Sequence, residues 1–143
     1  MQFSEATGRK VVSTADASTV GTISGFVVDP AARKVVAVAL GKTSGHGTML
    51  PFASISAFGT DAVTVAGADA VVAPDDRLTE LSAKQHTILK KRALTTAGDE
   101  VGTVRDVEFD PADGSLVSIQ LDDHTWNGQG LVGVGSYAVM LRP

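Results

Sequence analysis

The feature that most constrains this chain is an internal repeat. At an offset of 81 residues, Val20-Gly21-Thr22 falls on Val101-Gly102-Thr103, and Asp29-Pro30-Ala31 falls on Asp110-Pro111-Ala112. The apolar positions Ile23, Phe26 and Val28 fall on Val104, Val107 and Phe109, and Val36, Val38 and Leu40 fall on Val117, Ile119 and Leu121. Further along, the offset drops to 76, and Gly59-Thr60-Asp61-Ala62-Val63 falls on Gly135-Ser136-Tyr137-Ala138-Val139. The second copy therefore lacks five residues between two of its strands. A series matched in order over this length reads as one supersecondary unit used twice. We divide the chain into a first module at residues 1–72, a linker at 73–89 and a second module at 90–143.

Each copy reads as β. Val36-Ala37-Val38-Ala39-Leu40 and Val117-Ser118-Ile119-Gln120-Leu121 alternate with period two, which predicts three large side chains on one face. The Asp-Pro-Ala segment before each of these strands predicts a turn: Asp bonds its own backbone, and Pro presets φ for the next position. Asp113-Gly114 supplies the positive φ that closes a hairpin; Ala32-Arg33 stands at that point in the first copy, so a different turn is expected there. In the linker, Asp75 or Asp76 can cap a helix, Glu80 and Lys84 stand four apart, and Leu78, Leu81 and Gln85 share a side, predicting a short helix. A module of roughly 60 residues buries only about 60% of its surface and is marginal alone. Packing of the two modules on each other, or a homodimer, would relieve that.

These residues resemble the PRC-barrel family, which is named for the H subunit of the photosynthetic reaction centre and also contributes to the ribosome-maturation factor. In the first copy the resemblance is carried by Gly8-Arg9-Lys10-Val11-Val12, Val20-Gly21-Thr22-Ile23, Val28-Asp29-Pro30, Val35-Val36-Ala37-Val38, Leu50-Pro51-Phe52 and Gly59-Thr60-Asp61-Ala62-Val63. In the second it is carried by Val101-Gly102-Thr103-Val104, Phe109-Asp110-Pro111, Leu116-Val117-Ser118-Ile119 and Gly135-Ser136-Tyr137-Ala138-Val139, with Trp126-Asn127 in place of the Leu-Pro pair. The resemblance implies an all-β fold of two tandem small barrels, a role in holding proteins together, and no catalytic residues or cofactor. A function read from fold alone is analogy.

Charge and composition narrow the function classes. Residues 1–72 are neutral, 73–92 carry +2 and 93–143 carry -6, which together give the net -4. Such an acidic second module opposes direct nucleic-acid binding, which depends on neutralising phosphates. There are no cysteines, which excludes disulfides and thiolate chemistry. No apolar run is long enough for a transmembrane helix and no secretory signal is visible, so a cytoplasmic setting is expected. The one basic cluster, Lys90-Lys91-Arg92, reads as a solvated linker end or as an anion or partner contact.

Candidate chemistry is sparse. Leu40-Gly41-Lys42-Thr43 resembles the tail of a phosphate-binding loop, but Val36 stands where that loop needs glycine. Asp122-Asp123-His124 could suggest a metal, yet adjacent strand residues point to opposite faces. Asp110 and Asp113-Gly114 lack the alternating carboxylates and terminal Glu of a calcium loop. No Gly-x-Ser-x-Gly elbow accompanies the serines. The candidate interaction surface comprises Ala37 and Ala39, an apolar outer stripe suited to the linker helix, the second barrel or a second subunit; Lys42 and His46 in the Gly-rich loop; Asp122 and Asp123; and Trp126, which aligns with Leu50. The expected function is a non-catalytic adaptor that docks a protein partner, basic if electrostatics lead, or a second copy of itself. The alternatives are a ribosome- or RNA-processing-associated factor acting through a basic ribosomal protein, and a small-ligand binder or enzyme.

Overall fold

A computed structural model describes residues 1–43, 47–82 and 87–143. A short helix, α1 (Phe3–Ala6), precedes six strands: β1 (Lys10–Ser13), β2 (Thr19–Asp29), β3 (Lys34–Gly41), β4 (Met49–Pro51), β5 (Ile55–Phe58) and β6 (Ala62–Val65). They form one sheet in the order β4-β3-β2-β1-β6-β5, with β1 parallel to β6 and the other neighbours antiparallel. The linker carries α2 (Asp76–Leu81), whose cap is Asp75, accepting the Leu78 N–H at 2.8 Å. Gln85 and Lys84, expected to extend that helix, lie outside the described residues.

The second half repeats this order. Its strands are β7 (Arg92–Thr95), β8 (Glu100–Thr103), β9 (Asp106–Phe109), β10 (Leu116–Gln120), β11 (Thr125–Asn127), β12 (Leu131–Val134) and β13 (Val139–Leu141). They form two ladders, β11-β10-β9 and β12-β13-β7-β8, with β7 parallel to β13. If β8 and β9 are taken as one interrupted β2, the order is that of the first half. The interruption falls at Val104-Arg105, where β2 has only a bulge between Ile23 and Gly25.

Three expectations change. A bulge at equivalent points of β3 and β10 shifts the alternation by one residue. Val35 and Leu116 are therefore buried, while Val36 is half-buried and Val117 is 47% exposed, because a bulge leaves its extra residue unpaired. The two Asp-Pro turns are alike and not different: Arg33 takes a φ of 55° where Gly114 has 83°. The N–H of each donates to the turn's first carbonyl, Asp29 O at 2.8 Å and Asp110 O at 2.7 Å. Finally, the sheets are open and not closed barrels. β4 and β5 are joined by the 3₁₀ turn Phe52–Ser54 after Pro51, which has no N–H to give a ladder. Asn127 starts the matching turn, Gly128–Gly130, by accepting the Gln129 N–H at 2.9 Å.

The halves join through their own equivalent residues. Lys34 bridges Ser115, its counterpart at offset 81. The Val35 N–H donates to Gly114 O at 2.8 Å, and the Leu116 N–H donates to Arg33 O at 3.0 Å, which is the same bond with the copies exchanged. This is the self-complementary pattern of a two-fold contact, built within one chain. All five phenylalanines collect around it. Phe3 stacks on Phe26 at 4.2 Å, and Phe109, fully buried, stands 5.4 Å from both Phe26 and Phe58 and 6.4 Å from Phe52. Val28 and Val35 share this core with Val107, Leu116, Ile119 and Leu131 of the second half. A second core, with Val11, Ile23, Val38, Leu50 and Val63, belongs to the first half alone.

A shared core makes the halves one cooperative unit. Far-UV circular dichroism and the fluorescence of Trp126 should give one coincident urea transition, and distinct midpoints would show independent halves. Phe109→Ala should lower stability by about 3–5 kcal/mol and move both signals together. Gly114→Ala should cost about 1–3 kcal/mol in the same titration, because its Cβ would stand 2.6 Å from Val35 O at a left-handed φ.

Candidate functional site

The described residues among those singled out in the sequence fall in two places, on and after β3 in the first half and at the β10–β11 connection in the second. In the first half, Ala37 is fully buried and Ala39 half-buried on the outer side of β3. Leu78 and Leu81 of α2 lie over Val27, Ala37 and Met49. The Arg77 guanidinium pairs with Asp29, whose other oxygen accepts the Ala31 N–H at 3.0 Å, so α2 is pinned to the Asp-Pro turn. Lys42 follows β3 with a φ of 56° and is exposed. His46 lies outside the described residues.

In the second half, Asp122, Asp123 and Trp126 occupy the β10–β11 connection. The carboxylate of Asp122 accepts from the Arg105 side chain and, at 3.0 Å, from the Thr103 N–H. It stands at the position of Gly41, which pairs with Thr22 in the continuous first sheet. The carboxylate thus replaces a backbone contact that the interrupted strand lacks. Asp123 is exposed. Trp126 pairs with Ile119 as Leu50 pairs with Val38, so the alignment of these residues holds. The indole is half-buried, donates to Arg142 O at 3.0 Å and stands 5.8 Å from the His124 ring. With Gln129, Gly130 and Arg142 it lines an open cavity of about 410 Å³.

The basic triplet Lys90-Lys91-Arg92 is not a linker end. It repeats the entry to β1. The Lys90 N–H donates to Val104 O as the Gly8 N–H donates to Ile23 O, both at 2.8 Å. Lys91 Nζ donates to Gly135 O at 2.7 Å, as Arg9 donates to Gly59 O at 2.8 Å. Arg92 lies over the Tyr137 ring, 4.6 Å from its centroid. The signal was the likeness of Gly8-Arg9-Lys10 to Lys90-Lys91-Arg92, obscured because Lys90 takes a positive φ that its residue type does not advertise.

Electrostatics assign structural roles here. Hydrogen bonds from Arg105 and then from the Thr103 N–H hold the Asp122 carboxyl below the usual range. Bonds from Ser115 do the same for Asp113, and bonds from Ser18 for Asp16. Desolvation lowers Lys91. Among the described residues, no group of three or more His, Asp or Glu is placed to hold a metal. Nor does any buried polar side-chain atom among them lack a hydrogen-bond partner.

The strand order, turns and clamps of the second half coincide with a match to a known family model. Residues 82–139 match the PRC-barrel domain. The matched PRC-barrel segment runs from the end of the linker into β13, and it leaves the first half outside the match. The first half shares the strand order of the second and its repeated hydrogen bonds. No curated protein matches the chain.

The lowered Asp122 carboxyl gives a signed pH effect. A carboxyl more acidic in the folded than in the unfolded chain stabilises the fold above its unfolded pKa, near 4, and that stability is lost as pH falls through the folded value. Asp122→Asn should therefore flatten the loss of stability below about pH 4 in urea titrations. Unchanged acid slopes would rule out the role of the carboxylate.

Proposed function

We propose that the chain is a non-catalytic protein-interaction module made of two PRC-type units, residues 1–72 and 90–143, joined by the linker at 73–89. The observation that carries this reading is the engagement of its polar side chains. Asp29 and Asp110 bond their own turns, Asp106 bonds Ser4, Asp122 bonds Arg105, and Glu100 stands 3.5 Å from Arg92. These groups hold the frame and do not converge on a substrate. The PRC-barrel match supports a small β-domain of interaction type. No helix among the described residues is long and apolar enough to cross a membrane, and a cytoplasmic setting is part of the proposal.

The carboxylates behind the -6 of residues 93–143 are divided among turns, ion pairs and strand ends. A preference for a basic partner rests on net charge, and it would act through encounter rate and salt dependence.

Cross-linked affinity capture of the tagged full chain from its own cells, at low and high salt, tests the reading. A defined protein recovered in stoichiometric amount is expected. Recovery of nothing beyond an unrelated tagged control would overturn it. Retention unchanged at high salt would remove the electrostatic preference.

A further inference from the structure

Each half is a control for the other, because equivalent positions share a backbone. In the first half the outer edge of β4 is paired. The segment after β6 turns through Ala68–Ala70 and lays Val72 antiparallel against Met49. The Met49 N–H donates to Val72 O at 3.0 Å, and the Val72 N–H donates to Met49 O at 2.8 Å. Ala70 and Val71 pack on the core that holds Leu50, and Leu50 is fully buried. The second half has the same edge without such a segment. Among the described residues nothing pairs with the outer side of β11.

The bare edge keeps the register of the paired one. The Leu121 N–H donates to His124 O as the Leu40 N–H donates to Thr48 O, both at 2.8 Å. Trp126 pairs with Ile119 as Leu50 pairs with Val38. Bond directions alternate along an antiparallel strand, so Thr125, the counterpart of Met49, turns its N–H and C=O away from β10. Beside Thr125 opens the cavity of about 410 Å³ lined by Trp126, Gln129, Gly130 and Arg142. Trp126 is half-buried at this opening, where its counterpart Leu50 is covered. Arg142 is exposed there and belongs to none of the ion pairs among the described residues.

We propose that the outer edge of β11 takes up an extended segment of a partner protein as an added strand. The proposal rests on the interaction-module reading and deepens it by naming the surface. The first half shows the chemistry of the occupant. Its covering segment reads Asp69-Ala70-Val71-Val72, an acid followed by apolar residues. Val72 supplies the backbone pair, and Ala70 and Val71 supply the apolar cover, which over β11 falls on the Trp126 indole. The Asp69 carboxylate lies against Gly67, next to Ala66. Ala66 is the counterpart of Arg142, so an acid at this point of a docked segment meets the Arg142 guanidinium. Asp123 narrows the other end. It stands at the place of Gly47, where a Cβ would be 2.8 Å from Val71 O, so a docked strand stands further out there. A detached segment lacks the effective concentration of a linked one, so binding is weak, with Kd on the order of 0.1–1 mM.

Nuclear magnetic resonance titration of the isotope-labelled full chain tests this, with the acetylated and amidated peptide Ala68–Pro74 as the probe. Saturable shifts at Thr125, the Trp126 indole N–H and their neighbours are expected, and binding should weaken with added salt. Thr125→Pro removes the outward N–H, which β10 does not use, and should raise Kd by about tenfold. Should that variant fail to fold, a peptide carrying Val72→Pro removes the reciprocal bond and should lose about as much. Asp123→Gly, which restores the glycine of the first half, should lower Kd by about twofold or more. No saturable shift up to about 5 mM peptide, affinities unaltered by these changes, or shifts at Met49 and not at Thr125 would overturn the proposal. A chain that binds the peptide but captures no protein in cells would instead overturn the interaction-module reading. Capture unaffected by Thr125→Pro would overturn only the assignment of this edge.

Discussion

The bond that the rest of the structure depends on is the reciprocal pair at the centre: Val35 N–H to Gly114 O, and Leu116 N–H to Arg33 O. It sets one half on the other in a single register, and it places the two bulges, Val36 and Val117, at matching points on either side. The phenylalanine cluster can form only in that register, since four of its rings come from the first half and close on Phe109 of the second. A half of about 60 residues would be marginal alone. Here an interface of the kind two subunits would make has been placed inside one chain.

The same contact explains why the two turns must agree. Both Arg33 and Gly114 offer a carbonyl to the opposite strand, so both need the left-handed conformation that aims it. Glycine adopts that conformation freely, while arginine bears a cost that its side chain offsets by donating Nε–H to Leu131 O at 2.8 Å. A residue type alone predicts different turns. The tertiary partner decides, and that partner is invisible in a local reading.

Much of the architecture was legible for that reason and within that limit. The repeat and the succession of strands along each half, the Asp-Pro turns, a helix cap at Asp75 or Asp76 and the pairing of Trp126 at the Leu50 position follow from patterns of turn and core residues. The bulges were not legible, because alternation in β3 and β10 continues on paper through the residue that the backbone leaves unpaired. The open edges were not legible either, because they depend on a 3₁₀ turn that Pro51 starts in one half and the Asn127 side chain in the other. Of the candidate site, Ala37 and Ala39 could be marked as a face needing cover. That the chain's own α2 reaches them follows from Arg77 finding Asp29, a contact across 48 residues.

Duplication separates two demands that compete in a single small domain. The inward positions answer to the central bond and vary little between copies: Val28 and Phe109, Val35 and Leu116, Val38 and Ile119 all remain large and apolar. The outward positions answer to nothing in the frame, so the halves are free to diverge there. They do so in opposite senses on their two faces, apolar under α2 in the first half and apolar over β12 and β13 in the second. On that second face an exposed valine and tyrosine stand beside Met140, where the sister half holds serine, aspartate and threonine.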